Sequence, residues 1–230
     1  VGYTALQNIA ADQGDTYHTC IGFAAGNAIT TGTQQTHVGA NAGLSVTTGN
    51  GNSFIGYGAG SATTTGAWNT AVGRAVFTAN TSGGANVALG VNALQSNVTH
   101  GENVAVGYQA LMTATANNNT AVGNEAGEQT TTGYQNVYIG HRAGEESTTA
   151  YQSTGVGSYA LDDCTTGIKN TALGWDAGGE VTTGGHNVYV GTAAGNDHTT
   201  GSNAIYIGNG ATASAGDEGQ AICMGTSLTS

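Results

Sequence analysis

Two acidic pairs, Glu145-Glu146 and Asp162-Asp163, are set one 17-residue interval apart. The chain repeats at that same interval, so stacking one repeat on the next brings the four carboxylates together. Ca2+ takes oxygen donors gathered in this way, because a hard cation prefers carboxylates and carbonyls. The same residues also read as a solvated acidic edge. There is no Asp-x-Asp-x-Asp-Gly loop and no Gly-Gly-x-Gly-x-Asp array. Ca2+ at Glu145, Glu146, Asp162 and Asp163 is therefore the one candidate cofactor. The other acids, among them Asp12, Asp15, Asp217 and Glu218, fall at scattered repeat positions.

The histidines are His18, His37, His100, His141, His186 and His198. No two stand in adjacent repeats at one phase, which argues against zinc. Cys20, Cys164 and Cys223 are odd in number, fit no zinc spacing and read as small semi-buried fillers. No Gly-x-Ser-x-Gly elbow and no phosphate loop is present, and Gly208-Asn209-Gly210 arises from the repeat itself. A regular narrow fold also lacks the cleft across which paired carboxylates hydrolyse a sugar. We therefore expect no catalytic residues and no enzymatic activity. The net charge is −11, and Arg74, Arg142 and Lys169 are the three basic residues. Nucleic acid needs Lys and Arg to neutralise phosphates, so it is excluded as a partner, and anionic membrane surfaces go with it. No stretch is long and apolar enough for a transmembrane helix, so no membrane insertion is expected.

These residues are positioned by an array. Asn119-Thr120-Ala121-Val122-Gly123 is one copy of a unit whose constant element is an aliphatic residue followed by glycine, from Val1-Gly2 to Met224-Gly225. Successive glycines keep a 17-residue spacing, with one longer interval between Gly2 and Gly22 and one shorter interval between Gly107 and Gly123. Such a period marks a solenoid. The reading is all-β: a parallel β-solenoid of fourteen 17-residue coils, one repeat domain over 1–230, cut from a longer fibrous protein. With 40 Gly and no 3.6-residue apolar stripe, a helical alternative fails.

Counting the strand glycine as position 0, position −1 is Val, Ile, Leu or Met, and position −3 is largely Thr or Val. Residues two apart on a strand share a face, so these columns are expected to point inward as the core. Position −2 then points outward. It holds Phe54, Ala71, Ala88, Ala105, Ala121, Tyr138, Ala172, Tyr189 and Tyr206. Ala mixed with large aromatics suits contact with another chain. Position −4 carries Asn52, Asn69, Asn86, Asn103, Asn119, Asn136, Asn170 and Asn187, a column of amides able to hydrogen-bond along the stack. Ala recurs at +3, where backbones must approach closely. A Thr-Thr-Gly corner at +8 to +10 suggests a second short strand followed by a positive-φ glycine. Adjacent threonines in a strand face opposite ways, which argues against a flat ice-binding row. Trp68, Trp175, Tyr57, Tyr108, Phe23 and Tyr3 lie near corners, suited to packing on a neighbouring chain or stacking on sugars.

The motif Asn-Thr-Ala-Val-Gly followed by x-x-Ala-Gly, seen at Asn119–Gly127 and Asn170–Gly178, resembles the head repeats of trimeric autotransporter adhesins and repeats of bacteriophage tail-fibre proteins. The resemblance covers essentially the whole chain. The adhesin repeat is usually shorter, and the longer coil with its Thr-Thr-Gly corner favours the viral relative. The resemblance implies a left-handed β-roll packed as a homotrimer, located on a virion tail or at a cell surface, that reaches and binds a glycan or protein receptor. A bacterial adhesin head and a self-polymerising extracellular filament are the alternatives.

Overall fold

From Thr19 on, each described coil contributes one short strand, and within each of two units every strand lies parallel to the next. The structure, a computed structural model, describes residues 2–8, 16–212 and 221–225. Val1, Asp12, Asp15, Asp217 and Glu218 lie outside the described residues. Two compact units are recognisable within 1–230, Val1–Asn117 and Asn118–Ser230. Their boundary falls in the one repeat that is a residue short of the others. The first unit holds β1 (Thr19–Ile21), β2 (Thr36–Val38), β3 (Ser53–Ile55), β4 (Thr70–Val72), β5 (Val87–Leu89) and β6 (Val104–Val106). The second holds β7 (Thr120–Val122), β8 (Val137–Ile139), β9 (Thr154–Val156), β10 (Thr171–Leu173), β11 (Val188–Val190), β12 (Ile205–Ile207) and β13 (Ile222–Met224). Within each unit the register advances one repeat per strand, as in Thr70↔Val87 and Val188↔Ile205. The chain is an all-β parallel β-solenoid.

The strand faces are opposite to the sequence expectation. Phe54, Ala71, Ala105, Ala121, Tyr138, Ala172, Tyr189 and Tyr206 are 0% exposed, and Ala88 is 1% exposed, within the single chain. They are the interior of the solenoid and are not available for inter-chain packing. Positions −1 and −3 face outward instead, half-buried or exposed in every described strand. The reason is volume. A coil this thin admits about one large side chain per layer, and a β-branched residue at both −1 and −3 of every coil would overfill it.

The interior is completed by positions +3, +4 and +7. Large −2 residues face a glycine at +4 in Phe54 with Gly60, Tyr138 with Gly144 and Tyr189 with Gly195, and small ones face a large residue in Ala71 with Phe77 and Ala88 with Leu94; Tyr206, with Thr212 at +4, departs from the exchange. Ala121 and Ala172 pair with Gly127 and Gly178, and the next coil supplies the bulk there. A Cβ on Gly178 would lie 2.7 Å from the Tyr189 ring.

The strand glycine is required twice over. Gly73 has φ +142, a conformation strained for any L-residue, and a Cβ there would lie 2.6 Å from the Gly90 carbonyl oxygen. The corner glycine at +10 is different, because its φ is not left-handed, contrary to expectation. Only the approach of the next coil demands it: a Cβ on Gly66 would lie 2.5 Å from the Gly83 carbonyl oxygen. The left-handed corners sit on ordinary residues at −5, +2 and +4, among them Trp68 (φ 61), Ala75 (φ 53) and Leu94 (φ 49). Each is held by a hydrogen bond its N–H donates to a neighbouring coil: Trp68 to Asn50 (2.8 Å), Ala75 to Tyr57 (2.9 Å) and Leu94 to Ala110 (3.1 Å).

The Thr-Thr-Gly stretch is not a second strand. The N–H groups of Thr30, Thr31 and Gly32 converge on one carbonyl, that of Thr47, at 3.0, 3.2 and 3.1 Å. Thr30 Oγ1 donates to the same oxygen at 3.1 Å. Three consecutive donors on one acceptor form a concave corner, which a ladder geometry cannot make.

Candidate functional site

The buried Asn column ties coil to coil. Asn86 donates its backbone N–H to Asn69 Oδ1 at 3.0 Å and its Nδ2 to the same oxygen at 3.1 Å. Asn69 Nδ2 donates to the Gly83 carbonyl at 2.9 Å. The backbone N–H bond to the preceding amide oxygen recurs from Asn69 to Asn52, Asn103 to Asn86, Asn136 to Asn119 and Asn187 to Asn170. Within each unit, Asn52, Asn69, Asn86, Asn119, Asn136, Asn170 and Asn187 thus each satisfy a backbone N–H of the following coil and a carbonyl across their own coil. Fully buried, such groups would otherwise be left unpaired at high cost.

The acidic residues regroup. Glu145 is buried and meets Glu125 and Glu128, with one carboxylate oxygen of each within 4.8 Å of the others. Arg142 Nε donates to Glu145 and lies 3.7 Å from Glu125, and its guanidinium stands 5.7 Å from the Tyr159 ring centre. Glu146 and Asp163 are exposed to solvent. Asp162 is half-buried, and its carboxyl is pushed up to about 7, first by burial and then by Glu145. Glu128 and Asp176 move upward for the same leading reason. The four-carboxylate set expected for Ca2+ is therefore divided, and its most buried member already pairs with an arginine.

Two buried polar groups run across the second unit. Tyr138 Oη and Ser147 Oγ are 2.5 Å apart, and Tyr189 Oη is 2.6 Å from His198 Nδ1. Tyr189 stacks on Tyr206 with ring centres 5.6 Å apart. Burial raises both Tyr138 and Tyr189 far above the usual phenol range.

The first unit holds a different interior. His18 and Gln35 stand where later coils have Asn, and Cys20 and His37 occupy the inward −2 position. Cys20 pairs in register with His37. Burial pushes the Cys20 thiol up to about 11 and His37 down to about 4, with His18 adding to the latter. Sequence reasoning misses this group when position −2 is taken to face outward. Two histidines at different phases then have no way to meet, whereas −4 and −2 are both inward columns.

The outward −1 column is apolar, and the −3 column beside it mixes Thr and Ser with Val and Ile. In the first unit position −1 carries Ile21, Val38, Ile55, Val72, Leu89 and Val106; in the second it carries Val122, Ile139, Val156, Leu173, Val190, Ile207 and Met224. Ile21 is 50% and Leu173 52% exposed. Position +1 adds exposed Phe23, Tyr57, Tyr108 and Trp175. Tyr3 stacks on Phe23 with ring centres 6.1 Å apart. Trp68 is also exposed. No helix among the described residues is long and apolar enough to cross a membrane. Family models, curated proteins and solved structures provide no match to the chain.

Proposed function

We propose that this chain is a structural and adhesive fibre module that associates with further copies of itself through its outward aliphatic columns. The observation that carries the reading is the unbroken −1 column within each unit: one Val, Ile, Leu or Met per described strand, on a surface where a water-soluble single chain would place polar residues. The interior is filled by the chain's own side chains, so function falls to the surface. Burying the −1 column between copies stabilises an assembly by roughly 25 cal/mol for each Å² removed from water. Three-fold packing is the expected assembly, and the rims beside the columns are left to meet a glycan or protein receptor on a cell surface. A virion tail or a cell exterior is the setting such a module serves. Neither an enzymatic role nor a resident cofactor belongs to this reading.

Light scattering on the folded chain, and on the Leu173→Asp variant, tests it. A discrete trimer that Leu173→Asp dissociates without loss of β-structure supports the proposal. A monomer at every concentration overturns it. A very large, polydisperse particle that Leu173→Asp breaks up replaces the trimer with the filament reading.

A further inference from the structure

Tyrosine stacks on tyrosine in two settings within the second unit. Tyr189 and Tyr206, with ring centres 5.6 Å apart and planes 15° apart, are both 0% exposed. Tyr134 and Tyr151 stack more closely, with ring centres 5.0 Å apart and planes 2° apart. This second pair lies at the surface: Tyr134 is 42% exposed and Tyr151 is half-buried.

The backbone sets the surface pair. Both residues occupy position +11, one coil apart. The Gln152 N–H donates to the Tyr134 carbonyl at 3.1 Å, and the Lys169 N–H donates to the Tyr151 carbonyl at 3.0 Å. Beside the rings, Gln152 Nε2 donates to Gln135 Oε1 at 3.0 Å. Each corner is thus tied to the next, and the phenols sit over one another at close to the spacing of neighbouring strands. Elsewhere the same position carries Thr33, Ala67, Gly84 and Ser202, so the corner forms without a ring.

We propose that Tyr134 and Tyr151 form an oxidative cross-linking site, joined as dityrosine by a haem peroxidase and hydrogen peroxide. Each phenol gives up one hydrogen atom, and the two together reduce one hydrogen peroxide to two waters. The unpaired electron left on each ring is shared between the oxygen and the ortho and para carbons. The para carbon already carries Cβ, so a carbon–carbon bond forms between one ortho carbon of each ring. The hydrogens on those two carbons then leave as protons, and each phenol oxygen takes one back. Two radicals held face to face couple far faster than radicals that must meet by diffusion. The product is a covalent tie between consecutive coils, where the chain otherwise relies on hydrogen bonds. Tyr189 and Tyr206 offer the same stack but are closed to the enzyme by burial. The inference rests on the surface stack and not on the fibre reading.

The test treats the whole folded chain with a haem peroxidase and hydrogen peroxide, then unfolds it and digests it with trypsin. Cleavage after Arg74, Arg142 and Lys169 puts Tyr134 and Tyr151 in separate peptides, 75–142 and 143–169. The expected result is dityrosine fluorescence and a joined pair of these peptides, two hydrogens lighter than their sum, with the bond mapped to Tyr134 and Tyr151. In a mixture of isotope-labelled and unlabelled chains the joined pair is wholly labelled or wholly unlabelled, because the bond forms within one chain. Tyr134→Phe and Tyr151→Phe each abolish the joined pair, whereas Tyr108→Phe keeps it. Absence of the joined pair from the parent, pairs that mix labelled with unlabelled peptides at random, or a bond mapped to other tyrosines overturns the site. The parent digest decides the matter even if a variant fails to fold.

Discussion

Gly60 faces the ring of Phe54, and a Cβ at Gly60 would lie 2.6 Å from that ring. One coil later the sizes exchange, with Ala71 at the strand and Phe77 at the corner. Gly60 has φ +58 and Leu94, at the same repeat position, has φ 49, so the backbone accepts a large residue there. Gly60→Leu alone overfills the layer and costs about 1–3 kcal/mol. Phe54→Ala alone empties it and costs about 3–5 kcal/mol. The double variant recreates the Ala88/Leu94 arrangement, so its cost falls short of the sum by about 2 kcal/mol. Urea unfolding of the four proteins measures the coupling; strict additivity would remove the size exchange as a packing rule.

That exchange also shows what the sequence could and could not tell. Period, strand position and parallel stacking follow from the glycine spacing, because a chain returning to one phase at a fixed 17-residue period has few other ways to pair. Facing does not follow. Tyr138 and Ala121 at −2 read as a mixed outer surface when set against the uniform Val and Ile of −1. In a thin coil uniform bulk belongs outside, and mixed sizes mark the interior, where each layer must be filled from either of two positions. Reading −2 together with +4 would have revealed it. Misplacing that face also hid the meeting of Cys20 with His37. The left-handed corners left no signature, since Trp68, Ala75 and Leu94 are held there by inter-coil hydrogen bonds and not by their own preference.

Two glycines separate backbone strain from crowding. Gly58 has φ +67 and no atom within 4 Å of an added Cβ, and Ala24 and Ala75 occupy the same position elsewhere. Gly58→Ala should cost about 1 kcal/mol. Gly73→Ala must abandon φ +142 and displace the Gly90 carbonyl, so it should cost more than about 4 kcal/mol. Thermal unfolding followed by circular dichroism distinguishes them. Similar melting temperatures would mean that the coil spacing yields easily.

Asn69→Ala removes an acceptor from the Asn86 N–H and a donor from the Gly83 carbonyl, both in buried hydrogen bonds. Each orphaned group costs about 1–3 kcal/mol, so the variant should lose about 2–6 kcal/mol. Amide exchange at Asn86 should quicken far more than at strand residues of the second unit. Unchanged protection at Asn86 would show that the column follows the fold without supporting it.

Acidity provides the last test, and its sign is fixed by Asp162. The unfolded carboxyl titrates near about 3.9, whereas burial and Glu145 hold the folded one at about 7, with Arg142 opposing. Between those values the native chain keeps a proton that the unfolded chain has released. Stability must therefore fall as pH rises through this window. Glu128 and Asp176 shift in the same direction and add to the slope. General repulsion at net charge −11 acts likewise, so the parent's slope alone does not identify the residue. Asp162→Asn does. The variant should show a flatter profile between about pH 5 and about pH 8, and it should exceed the parent in stability at the upper end. Because Asp162 is only half-buried, solvent screening limits the gain to a modest fraction of what full burial would give. Urea midpoints of both proteins across that range measure it. A parent that grows more stable toward pH 8, or a variant with the parent's slope, would show that Asp162 is not held protonated in the fold.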